Sequence, residues 1–345
     1  MTRFGASPRR AGAPGLRAGL PRHVPRGVHP VLHELLELRR YGAEMRRLLA
    51  IDTQRREGPR APAARSQGMD YAESRLYSPG DDVRRIDWRV TARTGRAHTK
   101  LFQLERGNDI YCIVDQRAQM RFGTRAAFKS VVAAQVAALA GWAAAEGGDR
   151  FGALIAGAQD ASIRVGAAEG STPALCETLA AEKLGDGAPG AAAPDGAALD
   201  QLAARAAGEA AIGTRFVVVS DFADADEALA SAMKMLGARG DVVLVWVFDA
   251  MEVSLPPPAR YPLTDGREHL VLDTAPASVR AAHARDIAAR RERLARFAAQ
   301  PGMSCHAVQT GDELFSALER PFAERSPSYA APARSSSGHD SGAPG

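Results

Sequence analysis

From residue 109 onward the apolar positions form short continuous runs separated by longer segments of helical period. Ile110–Val114, Phe216–Val219 and Val242–Phe248 read as buried or central strands, because each is short, apolar and rich in β-branched or aromatic residues, and Asp149–Ile155 and Cys305–Val308 read as further strands. Between them, apolar residues recur at helical spacing from about Thr124 to Ala145, and over Thr172–Lys183, Leu199–Gly208, Asp226–Leu236, Ser278–Phe297 and Asp312–Leu318. Strands alternating with helices predict an α/β fold with a mostly parallel sheet and helices on both faces. Ser162–Val165 predicts an antiparallel edge strand.

The first third of the chain is patterned differently. Leu32, Leu35, Leu36 and Leu38, followed by Met45, Leu48 and Leu49, predict an amphipathic helix over Val31–Ile51, and Arg55–Gln67 reads as a polar linker. His98–Leu104 alternates as a strand does. The Gly/Ala/Pro-rich Gly185–Ala198 reads as an insertion. The organisation expected is therefore a leader over 1–30, a helix-and-strand region over 31–106, an α/β domain over 107–320 and a Ser/Gly/Pro/Ala tail over 321–345.

Composition narrows this picture in three respects. Only four of the 44 basic residues are Lys, leaving 40 Arg beside abundant Ala and Gly, a bias that suits GC-rich coding better than a binding surface. The leader nevertheless holds Arg3, Arg9, Arg10, Arg17, Arg22 and Arg26 with no acid before Glu34. It reads either as a disordered arm or as a contact for nucleic acid or anionic lipid, the latter marked by steep salt dependence. Arg9-Arg10 lacks the apolar stretch that a twin-arginine signal needs. No apolar run reaches eighteen residues, so no membrane span is expected. Cys112, Cys176 and Cys305 have no metal-ligand spacing and read as reduced, packed thiols of a cytoplasmic protein.

The densest segment is Tyr77-Ser78-Pro79-Gly80-Asp81-Asp82-Val83-Arg84-Arg85-Ile86-Asp87-Trp88, followed by Ala92-Arg93-Thr94-Gly95 and a strand ending in Leu104-Glu105-Arg106. Pro79-Gly80 fits the middle of a tight turn that brings acids and arginines together. This string resembles the signature of the bacterial family called domain of unknown function 58, with Tyr77, Pro79, Gly80, Asp81, Asp82, Arg84, Ile86, Asp87, Trp88 and Arg93 as the matching residues. The resemblance runs from about Tyr71 to Asp149, and more loosely to Asp249. It implies a von Willebrand factor A-like domain and a working partnership with a MoxR-type AAA+ ATPase and other von Willebrand A proteins, in chaperone-like maturation or stress functions. Many such proteins carry membrane spans ahead of this domain.

The resemblance also directs attention to the strand ends. A von Willebrand A domain carries Asp-x-Ser-x-Ser after its first strand, with a Thr and an Asp from later loops, to give Mg²⁺ its oxygen ligands. Here the segment reads Asp115-Gln116-Arg117-Ala118-Gln119-Met120, with Thr172 and Asp221 as matches to the later residues. A guanidinium has no acceptor and a permanent charge, so Arg117 repels a cation and no metal or other cofactor is expected. Two roles are open for Arg117. It either folds inward to pair with Asp115 and Asp221, or binds a partner's carboxylate together with Arg121, Arg125 and the amides of the following helix.

Asp81, Asp82 and Asp87 also suggest a metal-dependent hydrolase, but Arg84, Arg85, Arg89 and Arg93 interleave them, and a salt-bridged connector clamped by Asp87 and Trp88 is the better reading. His98, His269, His283 and His306 have no catalytic spacing, and no phosphate loop, nucleophile elbow or Cys/His pair is present. A non-enzymatic interaction or adaptor protein is the expectation.

Overall fold

The computed structural model describes residues 22–56, 69–76, 88–104, 109–181, 196–264, 269–320 and 322. In chain order the helices are α1 (Leu32–Glu37), α2 (Gly42–Arg56), α3 (Trp88–Thr94), α4 (Lys129–Glu146), α5 (Ala168–Ala181), α6 (Leu199–Glu209), α7 (Glu227–Arg239), α8 (Ala250–Val253), α9 (Ala277–Ala298) and α10 (Leu314–Glu319). The strands are β1 (Met69–Leu76), β2 (His98–Leu104), β3 (Ile110–Asp115), β4 (Arg150–Ala156), β5 (Ala161–Ala167), β6 (Arg215–Ser220), β7 (Val242–Phe248), β8 (Arg260–Thr264), β9 (His269–Asp273) and β10 (Met303–Gln309).

Six strands form one sheet in the order β10-β7-β6-β3-β4-β5. Every pairing is parallel except β4 with the edge strand β5. The mostly parallel α/β sheet and its antiparallel edge are those the apolar pattern predicts. The chain builds outward from β3 to β4 and β5, then crosses to the other side of β3 to lay down β6, β7 and β10. The order therefore reverses between β3 and β6, which opens a crevice at their carboxyl ends. Two further antiparallel pairs, β1 with β2 and β8 with β9, occur among the described residues.

Period-two alternation divides the sheet's side chains between two cores. Cys112, Val114, Val217, Val219, Val243 and Val245 face α4, α5 and the N-terminal helices. Tyr111, Ile113, Phe216, Val218, Leu244 and Trp246 face α6, α7 and α9. All three cysteines are free and buried, and burial pushes the Cys112 and Cys176 thiols up to about 12, which makes them unreactive packing groups.

α4 explains how the N-terminal segment is attached. Nearly every residue from Lys129 to Ala144 is buried, on all sides of the helix. A helix apolar all round needs cover all round. The sheet covers one side, while Leu35, Leu38, Met45 and Leu49 of the N-terminal segment join the same core from the other. Polar contacts fix the register: Trp142 donates its indole N–H to the Leu35 carbonyl at 2.9 Å, Arg46 pairs with Asp149 at 2.6 Å, and His23 meets Gln135 at 2.7 Å. Gln135, which interrupts the apolar run, is thus a satisfied buried amide.

The helix expected over Val31–Ile51 is two helices joined by a 3₁₀ turn at Leu38–Tyr41. The second starts at Gly42, where a Cβ would lie 2.8 Å from the Trp142 carbonyl oxygen. Backbone contact between α2 and α4 therefore depends on glycine. α4 in turn begins at Lys129 rather than at Thr124, because Thr124 is held in a loop by a carboxylate described below. The leader over 1–21, most of the insertion (182–195) and most of the tail (323–345) lie outside the described residues.

Gly42→Ala is expected to lower stability by about 1–3 kcal/mol in urea unfolding, since overpacking against an immovable backbone outweighs the helix-propensity gain of about 1 kcal/mol. An unchanged or raised midpoint would show that α2 does not need this approach.

Candidate functional site

The crevice between β3 and β6 is filled by the chain's own charges. Asp115, at the end of β3, is fully buried. Its Oδ1 accepts from the Arg117 backbone N–H at 3.1 Å and from Arg117 Nε at 3.0 Å. Its Oδ2 accepts from Arg117 Nη2 at 2.8 Å and from Ser220 Oγ, at the end of β6, at 2.7 Å. A carboxylate offers about four acceptor positions. All four of Asp115's are taken, so a cation would have to displace a permanent charge to reach it.

Arg117 is 5 % exposed and makes a second ion pair from the far side of its guanidinium, Nη1 to Asp224 Oδ2 at 2.5 Å. Burial alone would lower its pKa, but the hydrogen bonds and charges of Asp115 and Asp224 outweigh that and raise it further above the ordinary arginine value. Of the two roles open for Arg117, the inward-folded one describes this geometry, with one correction: the second partner is Asp224 and not Asp221.

Asp221 is held by a cation that the sequence reading did not single out. Lys129, 1 % exposed at the first position of α4, places Nζ 2.6 Å from Asp221 Oδ2 and 2.5 Å from Glu252 Oε1. Glu252 Oε2 accepts from the Asp249 backbone N–H, closing a capping box on α8. Asp249, at the end of β7, accepts from Thr124 Oγ1 at 2.6 Å, from the Thr124 and Met251 backbone N–H groups at 2.9 Å each, and from Thr310 Oγ1 just beyond β10. Burial would raise the Asp249 pKa, but these four donors hold it below the ordinary carboxylate value. The carboxyl ends of β3, β6, β7 and β10 are thereby tied together by two buried cations and five carboxylates.

The backbone between these groups is strained. Phe222, buried just after β6, has φ +51°. A bulky non-glycine residue in that region is an outlier that the surroundings must hold in place. Here Ser220 Oγ accepts from the Phe222 N–H at 3.0 Å, and Asp221 Oδ1 accepts from the Ala223 N–H at 3.0 Å. The strained turn delivers Asp224 to Arg117.

Of the other residues proposed for this site, Gln119 does join it, with Nε2 3.4 Å from each Asp224 carboxylate oxygen. Arg121 and Arg125 lie on the loop that follows, between the 3₁₀ turn at Ala118–Met120 and α4. Thr172 does not belong to it. It packs on α5 against Gly141, twelve residues along α4 from Lys129, or roughly 18 Å at the helical rise. The loop threonines that meet a strand-end acid are Thr124 and Thr310. In the signature segment, Tyr77, Pro79, Gly80, Asp81, Asp82, Arg84, Ile86 and Asp87 lie outside the described residues. Trp88 opens α3 and is 69 % exposed, so it is not the buried clamp expected of it, and Arg93 sits exposed in the last turn of α3. Among the described residues no cluster of three or more His, Cys, Asp or Glu side chains has the arrangement of a metal site.

The fold and crevice define a doubly wound α/β protein whose switch point is closed by internal salt bridges. Residues 73–293 match the family described as "Protein of unknown function DUF58", and the chain belongs to that family. Its relatives include the uncharacterized proteins Rv1480 of Mycobacterium tuberculosis and Mb1516 of Mycobacterium bovis, each 31% identical over 261 residues, covering 75% of this chain and 80% of theirs. Among solved structures, an aerotolerance-related membrane protein from Bacteroides fragilis, crystallised with multiple mutations to serines, and the conserved hypothetical protein BatB from Bacteroides thetaiotaomicron are similar at 12% identity and a TM-score of 0.34. These likenesses cover 63% of this chain and 99% and 97% of those chains, and are too remote to bear on function. No helix among the described residues is long and apolar enough to cross a membrane.

Lys129→Met is expected to cost about 3–5 kcal/mol in urea unfolding, because Asp221 is left as an uncompensated buried charge. Adding Asp221→Asn should return much of that loss, and purely additive costs would show that the two groups are not coupled. A second expectation concerns acid. Because the Asp249 carboxyl is depressed in the folded chain, its contribution is full above the unfolded value of about 4 and is lost as pH falls through the lower folded value. The stability difference between wild type and Asp249→Asn should therefore be largest near neutrality and shrink below about pH 4; a difference constant with pH would contradict the assignment.

Proposed function

We propose that this protein is a non-enzymatic interaction module, a von Willebrand A-like domain with a degenerate ion-adhesion site that works without a metal ion. On this reading it serves as an adaptor for a MoxR-type AAA+ ATPase, alongside other von Willebrand A proteins, in chaperone-like maturation or stress functions in the cytoplasm. The observation that carries the reading is the saturation of Asp115 by Arg117 and Ser220. In a von Willebrand A domain the corresponding acid is the anchor of a Mg²⁺ shell that a partner completes with a carboxylate. Here a fixed guanidinium carries the positive charge, and Lys129 does the same for Asp221. Support also comes from the sheet order, with a single antiparallel edge beside an otherwise parallel set, and from family membership. Three free, buried cysteines suit a reducing compartment.

The test is affinity capture from native lysate of the source bacterium with the tagged wild-type chain, with and without EDTA, followed by mass spectrometry. Recovery of an AAA+ ATPase at equal yield in both conditions is expected. Recovery that disappears with EDTA would restore an ion-dependent site, and failure to recover any AAA+ ATPase would remove the partnership. In parallel, millimolar MgCl₂ should leave the thermal midpoint of the purified protein unchanged, since a ligand bound only by the folded state would raise it.

A further inference from the structure

Asp115 uses only one side of Arg117. Its two oxygens engage Nε and Nη2, which leaves Nη1 for a second carboxylate, that of Asp224. Gln119 aims its amide nitrogen at the same point, 3.4 Å from both oxygens of the carboxylate found there. Two donors from one short segment thus converge on a single carboxylate, an arrangement suited to recognising a carboxylate in general. Asp224 fills it, yet unlike Asp115 its side chain is 53 % exposed and accepts from no other group in the described structure. It is presented on the turn strained at Phe222, so its hold on the site is bought partly with backbone strain. Beside it lies a cavity of about 90 Å³ lined in part by Phe222, Leu229 and Leu199, enough for a few methylene groups.

We propose that Arg117 and Gln119 form a carboxylate-binding site that Asp224 occupies from within, and that an Asp or Glu side chain of an acidic protein segment binds by taking Asp224's place. The inference deepens the interaction reading above, and rests on it for the kind of partner, since it names the chemistry the partner must present. Replacement rather than addition is required. Asp200 and Asp226 also line the cavity, so a second carboxylate beside Asp224 would face three acids against the single guanidinium of Arg117. Exchange leaves the number of charges on Arg117 unchanged, whereas addition does not. The incoming group swaps one charge-assisted hydrogen bond for another.

The experiment compares binding of a short oligoglutamate peptide to wild type, Asp224→Ala and Asp224→Ala/Gln119→Leu by fluorescence anisotropy at low salt, with oligolysine as the control for nonspecific attraction. Removing the internal competitor should strengthen oligoglutamate binding by about tenfold or more, the Gln119 change should reverse much of the gain, and oligolysine should not follow this pattern. Asp224 is half exposed and Arg117 keeps its bonds to Asp115, so the variants are expected to fold, as an unchanged far-UV spectrum would verify. Equal oligoglutamate binding by wild type and Asp224→Ala, or no binding by either, would overturn the proposal. The adaptor reading fails separately, in the lysate capture by the wild-type chain, where Asp224 is untouched.

Discussion

The buried pair between Asp115 and Arg117 is the constraint on which the crevice depends. A carboxylate at the end of a central strand has lost its water, and a buried unpaired charge costs several kcal/mol. The cost is offset here within two residues, because the backbone turn after β3 folds the guanidinium of Arg117 back onto both oxygens. Once that happens the acid has no acceptor left, the remaining nitrogen of Arg117 faces outward, and Ser220 is drawn in from the neighbouring strand. Arg117 thereby holds two carboxylates, Asp115 and Asp224, at the end of the central strand.

α4 carries this arrangement into the rest of the molecule. Its first residue supplies the second buried cation, its middle meets His23 through Gln135, and its last turns hold the N-terminal helices through Trp142. The N-terminal helices α1 and α2 are therefore packed into the same core as the sheet. One helix thus runs from the crevice, where Lys129 lies, to that contact. The same burial explains the residue choice: small alanines let sheet and helices approach α4 closely, and its buried Lys129, Gln135 and Trp142 each meet a polar partner.

The legibility of the site varied residue by residue. Asp115 and Asp221 were readable because acids at the ends of apolar strands fall at the ligand-binding edge of such sheets. Arg117 was readable as a permanently charged, acceptor-free residue beside Asp115, because both are properties of the residue alone. Its second partner was not, since Asp221 and Asp224 are three residues apart and only the strained turn at Phe222 decides which of them reaches it. Thr172 was misplaced because a threonine between helix and loop carries no mark of which end of the sheet it faces. Lys129 left one trace, a rare lysine in a chain that otherwise uses arginine, and its compact ammonium suits a gap between two carboxylates better than a planar fork does.

Residue order along the chain carries the parallel α/β class, the two-sided burial of the sheet and the placing of Asp115 and Asp221 at strand ends. These follow from period and from the fixed chemistry of single side chains. Only the tertiary structure decided which charges meet, that Thr124 and Thr310 converge on Asp249 from loops far apart in the chain, and that Asp224 covers Arg117. Apart from the Asp115–Arg117 pair, these contacts depend on distances of a few ångströms between segments 61 to 125 residues apart, and no local pattern encodes such distances. They are set when the strand ends are brought side by side.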